Sequence, residues 1–452
     1  MYIDHDTIVA PATAVGGALS LVRLSGSRAI AIADSLFHGK KPLAACESHT
    51  AHFGSIYKGE KLIDEVVATL FRAPKSYTGD DTVELTCHGS AYIVGEVLRL
   101  AIGAGARMAE PGEFTRRAYL SGRLNLSEAE AVADLIASSS EAAHRLATQQ
   151  MRGGYTTAIE HLRDELLQLT TLLELELDFS EEDVEFADRG RLAATMEAIG
   201  AEIEALRGSF ALGNAIKEGV PVAIVGAPNV GKSTLLNQLV KEERAMVSDI
   251  AGTTRDVIEE QIVIDGVRFR ILDTAGIRAT EDRLEKMGIE RTLRTIERAR
   301  IVIRMIDAAE VAQKGIEPTT FTLREDQHLI TLINKCDTVT ALPTLPEGVI
   351  RLTARTGEGV ESLQQALHRA VGLEALEEGT TIVSTARHYE ALTTASEALK
   401  RALEGLQADL PTDLLSEDIR AVIIAIGSIT ARGEILPSEI LNNLFGHFCI
   451  GK

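Results

Sequence analysis

Residues 220–240 read VPVAIVGAPNVGKSTLLNQLV. The apolar run at residues 220–225 predicts a buried strand, and leucines at helical spacing follow Ser233. Between them, residues 226–233 fit the pattern GxxxxGK[ST], whose glycines let backbone N–H groups face phosphate groups while the next helix adds positive potential at its N-terminus. The order strand, glycine loop and helix therefore predicts a nucleotide-binding α/β domain.

Within this loop, Lys232 is expected to reach the outer phosphates and to assist catalysis, and the Ser233 hydroxyl is expected to ligate Mg²⁺. The side-chain carbonyl of Asn229 could ligate a monovalent cation beside the phosphates, although an asparagine here also suits a simple loop cap. The other loop residues expected to contact the nucleotide are Val230, Gly231 and Thr234.

Later segments specify the nucleotide as GTP. In RFRILDTAG, the carboxylate of Asp273 is expected near Mg²⁺ and the amide of Gly276 near the outermost phosphate. LITLINKCD ends in Asp337, whose carboxylate can accept two hydrogen bonds from guanine. RLTAR adds a third loop on the base side. This order is typical of GTPases of the translation-factor type, with threonine where serine is usual in the third loop. The expected ligands are Asp273, Thr274, Ala275, Gly276, Asn334, Lys335, Asp337, Thr353, Ala354 and Arg355.

Two features concern the hydrolysis step. Ile277 follows DTAG where Ras-like switches carry a glutamine that orients the attacking water, so another group must do this. The following stretch offers Arg278, Glu281, Asp282 and Glu285. Residues 246–260, MVSDIAGTTRDVIEE, have the polar character of a switch, in which Thr254 is the natural second hydroxyl for Mg²⁺ and a catalytic residue.

The flanking sequence predicts an unusual arrangement of domains. Apolar residues at spacings of three and four on both sides of residues 219–372 predict one helical domain, residues 121–218 and 373–452, with the GTPase inserted in a loop. Ser127 and Glu130 predict a capping box that opens the first of these helices. Residues 1–120 alternate short apolar runs with glycine and proline, which favours a mixed domain with antiparallel strands. The predicted fold class is therefore multidomain: an α+β N-terminal domain, a helical domain and an inserted Ras-like α/β domain.

Composition restricts the environment and the partners. The net charge of −20 gives no general attraction for polyanions, so nucleic acid must be met by a local patch or presented by a partner. Four scattered cysteines fit a reducing cytoplasm and argue against a zinc site built within one chain. The chain has neither a signal-peptide pattern nor eighteen consecutive apolar residues, so we expect a cytoplasmic protein without a membrane segment.

The whole chain resembles the MnmE (also called TrmE) family of tRNA-modification GTPases. The resemblance rests on DTIVAPAT at residues 6–13, LVRLSG at 21–26, PGEFTRRAYL at 111–120, GAPNVGKST at 226–234, DIAGTTRD at 249–256, DTAGIR at 273–278 and FCIGK at 448–452. It implies a homodimer that acts with the flavoprotein MnmG on position five of the wobble uridine of certain tRNAs. A tetrahydrofolate derivative (5-formyl or 5,10-methylene) would supply the one-carbon unit, and glycine or ammonium the nitrogen.

The resemblance also implies site residues. Folate would contact Arg23, Glu84, Arg123 and Lys452, with arginine at position 123 where the family often has lysine. From the residues alone, Arg23, Glu84 and His88 are interpreted as solvated strand ends. Potassium would be ligated by Asn229 together with Ser248, Ile250 and Thr253, and Glu285 would position the attacking water. Residues implied to line the nucleotide in this loop are Ser248, Asp249, Ile250, Ala251, Gly252, Thr253 and Thr254.

Two questions stay open at the level of sequence. Cys449 in the tail FGHFCIGK is a packing residue, a binding residue or a chemical participant, and C-I-G-K is a poor prenylation signal. The rival functions are a ribosome-assembly GTPase without modification chemistry and a stand-alone folate-dependent transferase with a regulatory GTPase. A single phosphate loop and the lack of a basic RNA-binding module weigh against the first rival.

Overall fold

A computed structural model describes residues 6–178, 189–246, 260–272, 285–372, 381–408, 410–431, 445–446, 448 and 451. The chain divides into two compact units, one formed by Met1–Ala133 with Gly427–Lys452 and the other by Asp134–Ile426. A mixed sheet with helices, a set of long helices and a second, mostly parallel sheet are all present, which confirms the predicted fold class. The predicted boundaries after residues 120, 218 and 372 stay predictions.

The first unit is built on a seven-stranded sheet with the order β3-β4-β5-β6-β2-β1-β7. Neighbouring strands are antiparallel except β1 and β7, which are parallel. The strands are β1 Ile8–Pro11, β2 Leu19–Ser25, β3 Phe37–Gly39, β4 Thr50–Lys58, β5 Lys61–Phe71, β6 Thr82–His88 and β7 Arg107–Met108. The short alternating runs in the sequence correspond to strands such as β2, β5 and β6, in which buried side chains alternate with more exposed ones.

Helices cover one face of this sheet. Helix α1 (Ala29–Leu36) and helix α2 (Ala91–Gly103) pack on Val22, Leu24 and Leu85, which are fully buried. Burial of about 25 cal/mol per Å² of apolar surface makes this layer the main source of stability for the unit. The opposite face carries the polar residues discussed below. Helix α3 spans Glu113–Leu120.

Long helices follow in the chain: α4 Leu126–Ala137, α5 Glu141–Met151, α6 Gly154–Asp178, α7 Arg189–Glu218, α12 Ala386–Gln407 and α13 Thr412–Thr430. Most of α4 belongs to the first unit, and the others lie wholly or mainly in the second. The apolar stripes predicted from the sequence are buried: Ile159, Leu162, Leu166, Leu169 and Leu173 on α6, and Met196, Ile199, Ile203 and Leu206 on α7. On α12, Leu392, Leu399 and Leu406 are buried and Leu403 is half-buried. Within the described part of the chain, no helix is long and apolar enough to cross a membrane.

The predicted capping box at Ser127 and Glu130 is wrong. Helix α4 begins two residues earlier, where Asn125 Oδ1 accepts from the N–H of Glu128 and the Glu128 carboxylate accepts from the N–H of Asn125, both at 2.8 Å. This reciprocal pair is the same device shifted by two residues. Ser127 is instead buried. The next helix, α5, begins after Ser140, whose hydroxyl caps it by accepting a hydrogen bond from the N–H of Ala143 at 3.3 Å.

The second sheet has six strands in the order β13-β12-β11-β8-β10-β9, all parallel except β9. Helices flank it, as expected for parallel strands buried on both faces. Its strands are β8 Val220–Gly226, β9 Glu260–Ile264, β10 Val267–Ile271, β11 Ile301–Asp307, β12 His328–Asn334 and β13 Ile350–Arg351. Its helices are α8 Lys232–Met246, α9 Glu285–Arg298, α10 Ala308–Lys314 and α11 Val360–Val371.

A tight hairpin joins β9 to β10 and contacts helix α5. Asp265 and Gly266 both have positive φ, +47° and +75°, as a two-residue type I′ turn requires. The Gly266 carbonyl accepts a hydrogen bond from the N–H of Ala142 at 3.0 Å, in the first turn of α5. An added Cβ on Gly266 would lie 3.0 Å from the Cβ of Glu141. The hairpin tip and the start of the helix are therefore in direct contact.

Candidate functional site

The loop between β8 and α8 has a backbone that requires glycine at two positions. Gly226 has φ +155°, and an added Cβ would lie 2.4 Å from the Met305 carbonyl oxygen. Gly231 has φ +105°, and an added Cβ would lie 2.2 Å from the side-chain nitrogen of Asn334. Asn229 adopts the left-handed region with φ +60°, which asparagine tolerates better than most residues. This is the local shape in which backbone N–H groups can surround an anion.

Lys232 is the first residue of α8, and its side chain returns to this loop. Its Nζ donates to the carbonyl oxygens of Gly226 at 2.8 Å and Ala227 at 3.0 Å. Burial lowers the pKa of Lys232, because desolvation disfavours the ammonium form. An anionic ligand beside this lysine would relieve that cost. Ser233 and Thr234 follow it in the first turn of α8 and are exposed.

Asn334 connects three loops at the carboxyl edge of the sheet. It is the last residue of β12 and is 2% exposed. Its Nδ2 donates to the Val230 carbonyl at 2.7 Å, and its Oδ1 accepts from the N–H of Ala354 at 2.9 Å. The phosphate loop, the NKCD segment and the TAR segment, which are far apart in sequence, are thus held together by one amide side chain.

Lys335 is held by a residue that sequence reasoning missed. Its φ is +61°, and its Nζ donates to Asp307 Oδ2 at 2.7 Å. Burial by itself would raise the pKa of Asp307, but hydrogen bonds from Lys335 and from the N–H of Ala309, with the charge of Lys335, outweigh it and lower that pKa. Asp307 ends β11 directly opposite Asn334 in register. A signal existed: an acidic residue closes the apolar run IVIRMID at the same sheet edge.

Asp337 lies in a short 3₁₀ helix, Cys336–Thr338, at the same edge. Its Oδ2 accepts from Arg355 Nη2 at 3.0 Å, and the two side chains are 31% and 81% exposed. An ion pair this exposed contributes little to stability. Arg355 can therefore leave the carboxylate at small cost. Thr353, two residues before Arg355, is buried, and its N–H donates to the Glu358 carbonyl at 2.9 Å.

A second group of predicted residues lies on the sheet of the first unit. The interpretation of Arg23 and Glu84 as solvated strand ends is wrong: they face each other in register near the middle of β2 and β6. Arg23 Nε and Nη2 both donate to Glu84 Oε1, at 2.9 and 2.8 Å, and the side chains are 17% and 19% exposed. His88 does end its strand, where its Nδ1 lies 2.7 Å from Asp64 Oδ1.

Two aromatic rings adjoin Arg23. Its guanidinium carbon lies 5.8 Å from the ring centre of Tyr77 and 5.6 Å from that of Phe114. Both distances are within the range of cation–π attraction. Burial raises the pKa of Tyr77 in spite of its hydrogen bond with Thr115 and the charge of Arg23. Arg23 is therefore fixed from several sides, by residues that the sequence alone did not connect with it.

The end of the chain reaches the same arginine. Arg23 Nη1 donates to the carbonyl of Gly451 at 3.2 Å. Gly451 has φ +99°, and an added Cβ would lie 2.2 Å from the Pro11 carbonyl oxygen, so only glycine fits. Phe445 is buried and packs against Tyr119 and Phe448, with ring centres 6.5 and 5.3 Å apart. The tail is thus docked within this unit through its phenylalanines.

Arg123 lies exposed in the turn after α3, where its N–H donates to the Ala118 carbonyl at 2.9 Å. The side chain of Glu285 lies outside the described part of the structure. The following predicted residues lie outside it entirely: Ser248, Asp249, Ile250, Ala251, Gly252, Thr253, Thr254, Asp273, Thr274, Ala275, Gly276, Ile277, Cys449 and Lys452.

Comparison with known proteins gives a match along the whole chain. Residues 7–123 match the family model of the GTP-binding protein TrmE N-terminus, and residues 126–449 match that of the MnmE helical domain. The tRNA modification GTPase MnmE of Bacteroides thetaiotaomicron is 47% identical, with 100% of both chains covered. The protein of the same name from Bacteroides fragilis is 48% identical, again with 100% of both chains covered.

The chain belongs to the MnmE family of tRNA modification GTPases. Membership confirms the resemblance read from the sequence and makes the protein a GTP hydrolase that acts in tRNA modification. Among solved structures, Aquifex aeolicus Era bound to GDP·AlF4⁻ is 26% identical and covers 39% of this chain and 65% of its own, with a TM-score of 0.22.

The MnmE family assignment and the geometry agree on the ligand of the loops around Asn334. The carboxyl ends of β8, β11 and β12 meet at one edge, which is where open parallel sheets bind nucleotides. Gly226, Asn334 and Asp307 end these three strands. This edge is the candidate GTP site.

Proposed function

We propose that this chain is a potassium-dependent GTPase that works with the flavoprotein MnmG on position five of the wobble uridine of certain tRNAs. The group added is aminomethyl or carboxymethylaminomethyl. A tetrahydrofolate derivative, 5-formyl or 5,10-methylene, supplies the carbon. The chain acts as a homodimer in the cytoplasm. The observation that carries the proposal is the Arg23–Glu84 pair, docked against the chain's own tail in one unit, while the GTP loops belong to the other unit.

At the GTP site, observed contacts support the roles proposed for Asp337, Asn334 and Lys232. Asp337 accepts the N–H groups of guanine once Arg355 leaves it. Asn334 holds the base-side and phosphate loops at their working separation, and Lys232 turns from two carbonyl oxygens to the phosphates. Ser233, exposed in the first turn of α8, supplies one hydroxyl to Mg²⁺. Thr254 and Asp273 complete that set in this proposal.

The potassium proposal rests on Asn229 and on Ile277. Asn229 is exposed in the phosphate loop and held in a left-handed conformation that few residues adopt readily. Its side-chain carbonyl is a hard oxygen ligand suited to an alkali cation, together with Ser248, Ile250 and Thr253. A cation there supplies the charge that an arginine supplies in other GTPases. Glu285 orients the attacking water, since Ile277 has no polar atom to do so.

The folate proposal rests on the free side of Glu84. Both contacts from Arg23 use Oε1, which leaves Oε2 to accept a ligand N–H. A pterin ring presents such donors on one edge, as guanine does. Lys452 and Arg123 are cations that suit the carboxylates of the glutamate portion. Bound folate supplies an activated one-carbon unit, and the residues of this chain bind and orient it.

The acidic net charge of −20 favours shared binding of tRNA, with much of the positive surface contributed by MnmG.

Glu84→Gln tests the proposal in a strain that lacks the chromosomal copy of this gene. The variant should hydrolyse GTP at the normal rate but fail to restore the modified wobble nucleoside, measured by mass spectrometry of digested tRNA. Glu60→Gln, an exposed position in the β4–β5 turn, is the matched control and should restore it.

One outcome would reject this function, and a second would reject only its folate site. If the wobble uridines of the deletion strain are fully modified and the strain shows only a ribosome-subunit defect, the chain would instead be assigned to ribosome assembly. Full modification with Glu84→Gln would leave the tRNA role intact and remove the folate site from this position.

A further inference from the structure

We propose that His161, Glu165 and Glu202 form a binding site for one divalent transition-metal ion, with Zn²⁺ as the favoured ion. One ligand atom from each side chain lies within 4.8 Å of the corresponding atoms of the other two. The site belongs to helices α6 and α7 and shares no residue with the GTP loops or with the group around Arg23.

The helices place these three side chains together. His161 and Glu165 are four residues apart on α6, which puts them on the same face one turn apart. Glu202 comes from α7, which contacts α6. Leu162 and Ile203, the next residues on each helix, are fully buried in the helical core. The buried neighbours fix the two helices, and the three ligands lie at the solvent edge of that core.

Electrostatics favours a cation at this point. Glu165 and Glu202 place two carboxylates close together, and like charges at such separations repel each other. Within the described ranges of the chain, no ion pair or hydrogen bond involves the side chain of His161, Glu165 or Glu202. A bound cation would turn this repulsion into two attractions.

The donor set selects the ion. One imidazole nitrogen and two carboxylate oxygens suit Zn²⁺, whereas Mg²⁺ and Ca²⁺ prefer oxygen ligands alone. Bonds of about 2.0–2.1 Å in a tetrahedral site need ligand atoms roughly 3.4 Å apart. His161 and Glu202 are exposed and Glu165 is half-buried, so small rotamer changes can close the remaining gap. Water takes the fourth position. The scattered cysteines argue only against thiolate ligands and do not bear on this site.

A bound ion would connect α6 to α7 and stabilise that pair of helices. The test uses the full chain freed of metal with a chelator and then titrated with Zn²⁺ in a calorimeter. The wild-type chain should bind one ion with micromolar affinity and should show a higher midpoint of thermal unfolding when it does. His161→Ala and Glu202→Gln should each weaken binding by at least about tenfold, since even groups behind the ligands are worth that much.

Matched controls keep the charge changes equal. Glu160→Gln on α6 and Glu197→Gln on α7 remove one exposed carboxylate each from the same helices without touching the three ligands, and both should bind zinc normally. Co²⁺ gives a second readout, because its visible absorption bands report a tetrahedral site and should vanish in His161→Ala. Equal zinc affinity in the wild-type chain and His161→Ala, or no saturable binding at micromolar zinc, would overturn the proposal.

Discussion

Removing the amide of Asn334 should weaken GTP binding more than a comparable change just before the other end of the same strand. Asn334→Ala deletes a donor to Val230 and an acceptor from Ala354, at 2.7 and 2.9 Å in a fully enclosed position. Each bond contributes about 1 kcal/mol, and each partner left buried without a bond adds to the loss, so the total is roughly 2–3 kcal/mol. The loops must then be ordered by the nucleotide itself. We expect a loss of GTP affinity of about 30- to 150-fold, the same free energy expressed as a ratio.

Gln327 provides the matched control, since it precedes the other end of β12. Its Nε2 donates to the carbonyls of Ile296 at 2.6 Å and Ala299 at 2.7 Å, and it is 8% exposed. Gln327→Ala should cost similar stability in urea unfolding but leave GTP affinity within about twofold, as expected for independent sites. Affinity is measured by titration with a fluorescent guanine nucleotide. If both variants lose affinity equally, or if Asn334→Ala binds normally, Asn334 does not organise the site.

Three further predictions concern the individual sites. Asp337→Asn should lose GTP affinity and gain xanthosine triphosphate affinity in competition titrations; unchanged selectivity would exclude Asp337 from reading the base. Potassium should accelerate GTP hydrolysis far more than sodium does. Asn229→Gly, which suits φ +60° but lacks the side-chain carbonyl, should abolish that acceleration while nucleotide binding persists. Equal rates in both salts would contradict the potassium site. Gly451→Ala should displace the tail, because the added Cβ meets the Pro11 carbonyl, and should therefore lower folate binding in equilibrium dialysis without changing GTP hydrolysis. Gly446→Ala has open space around it and should change neither property. Normal folate binding by Gly451→Ala would show that the tail does not contribute to the folate site.

Elements with local signals were predictable from the sequence. The phosphate loop was found because glycine spacing, an apolar strand and a helical pattern are all contained in residues 220–240. The leucine stripes of α6 and α7 were found because burial repeats with the helical period. The start of α4 was misplaced because Asn125 and Ser127 each stand three residues before a glutamate. Burial of Leu126 and Ser127 decides between them, and that is tertiary information.

Pairings between distant segments were not predictable in the same way. Arg23 and Glu84 look like isolated polar residues in the sequence, since they are sixty-one positions apart and their ion pair depends on the register of β2 against β6. Asp307 was missed because its partner Lys335 directly follows another strand, β12, although both residues lie at the edge that parallel sheets use for ligands. Strand register and sheet order, rather than periodicity, carry this information.

The contact between the β9–β10 turn and helix α5 has a thermodynamic consequence. The Gly266 carbonyl completes the first turn of α5, so the helix start and the hairpin shift together or lose that hydrogen bond. If nucleotide binding moves the hairpin by even a small distance, it changes the free energy of the helix position. Linkage is reciprocal: any molecule that binds α5 in one position must then change GTP affinity by the same factor as GTP changes its own. A partner of the helices would thus be detectable in a nucleotide titration, far from where it binds.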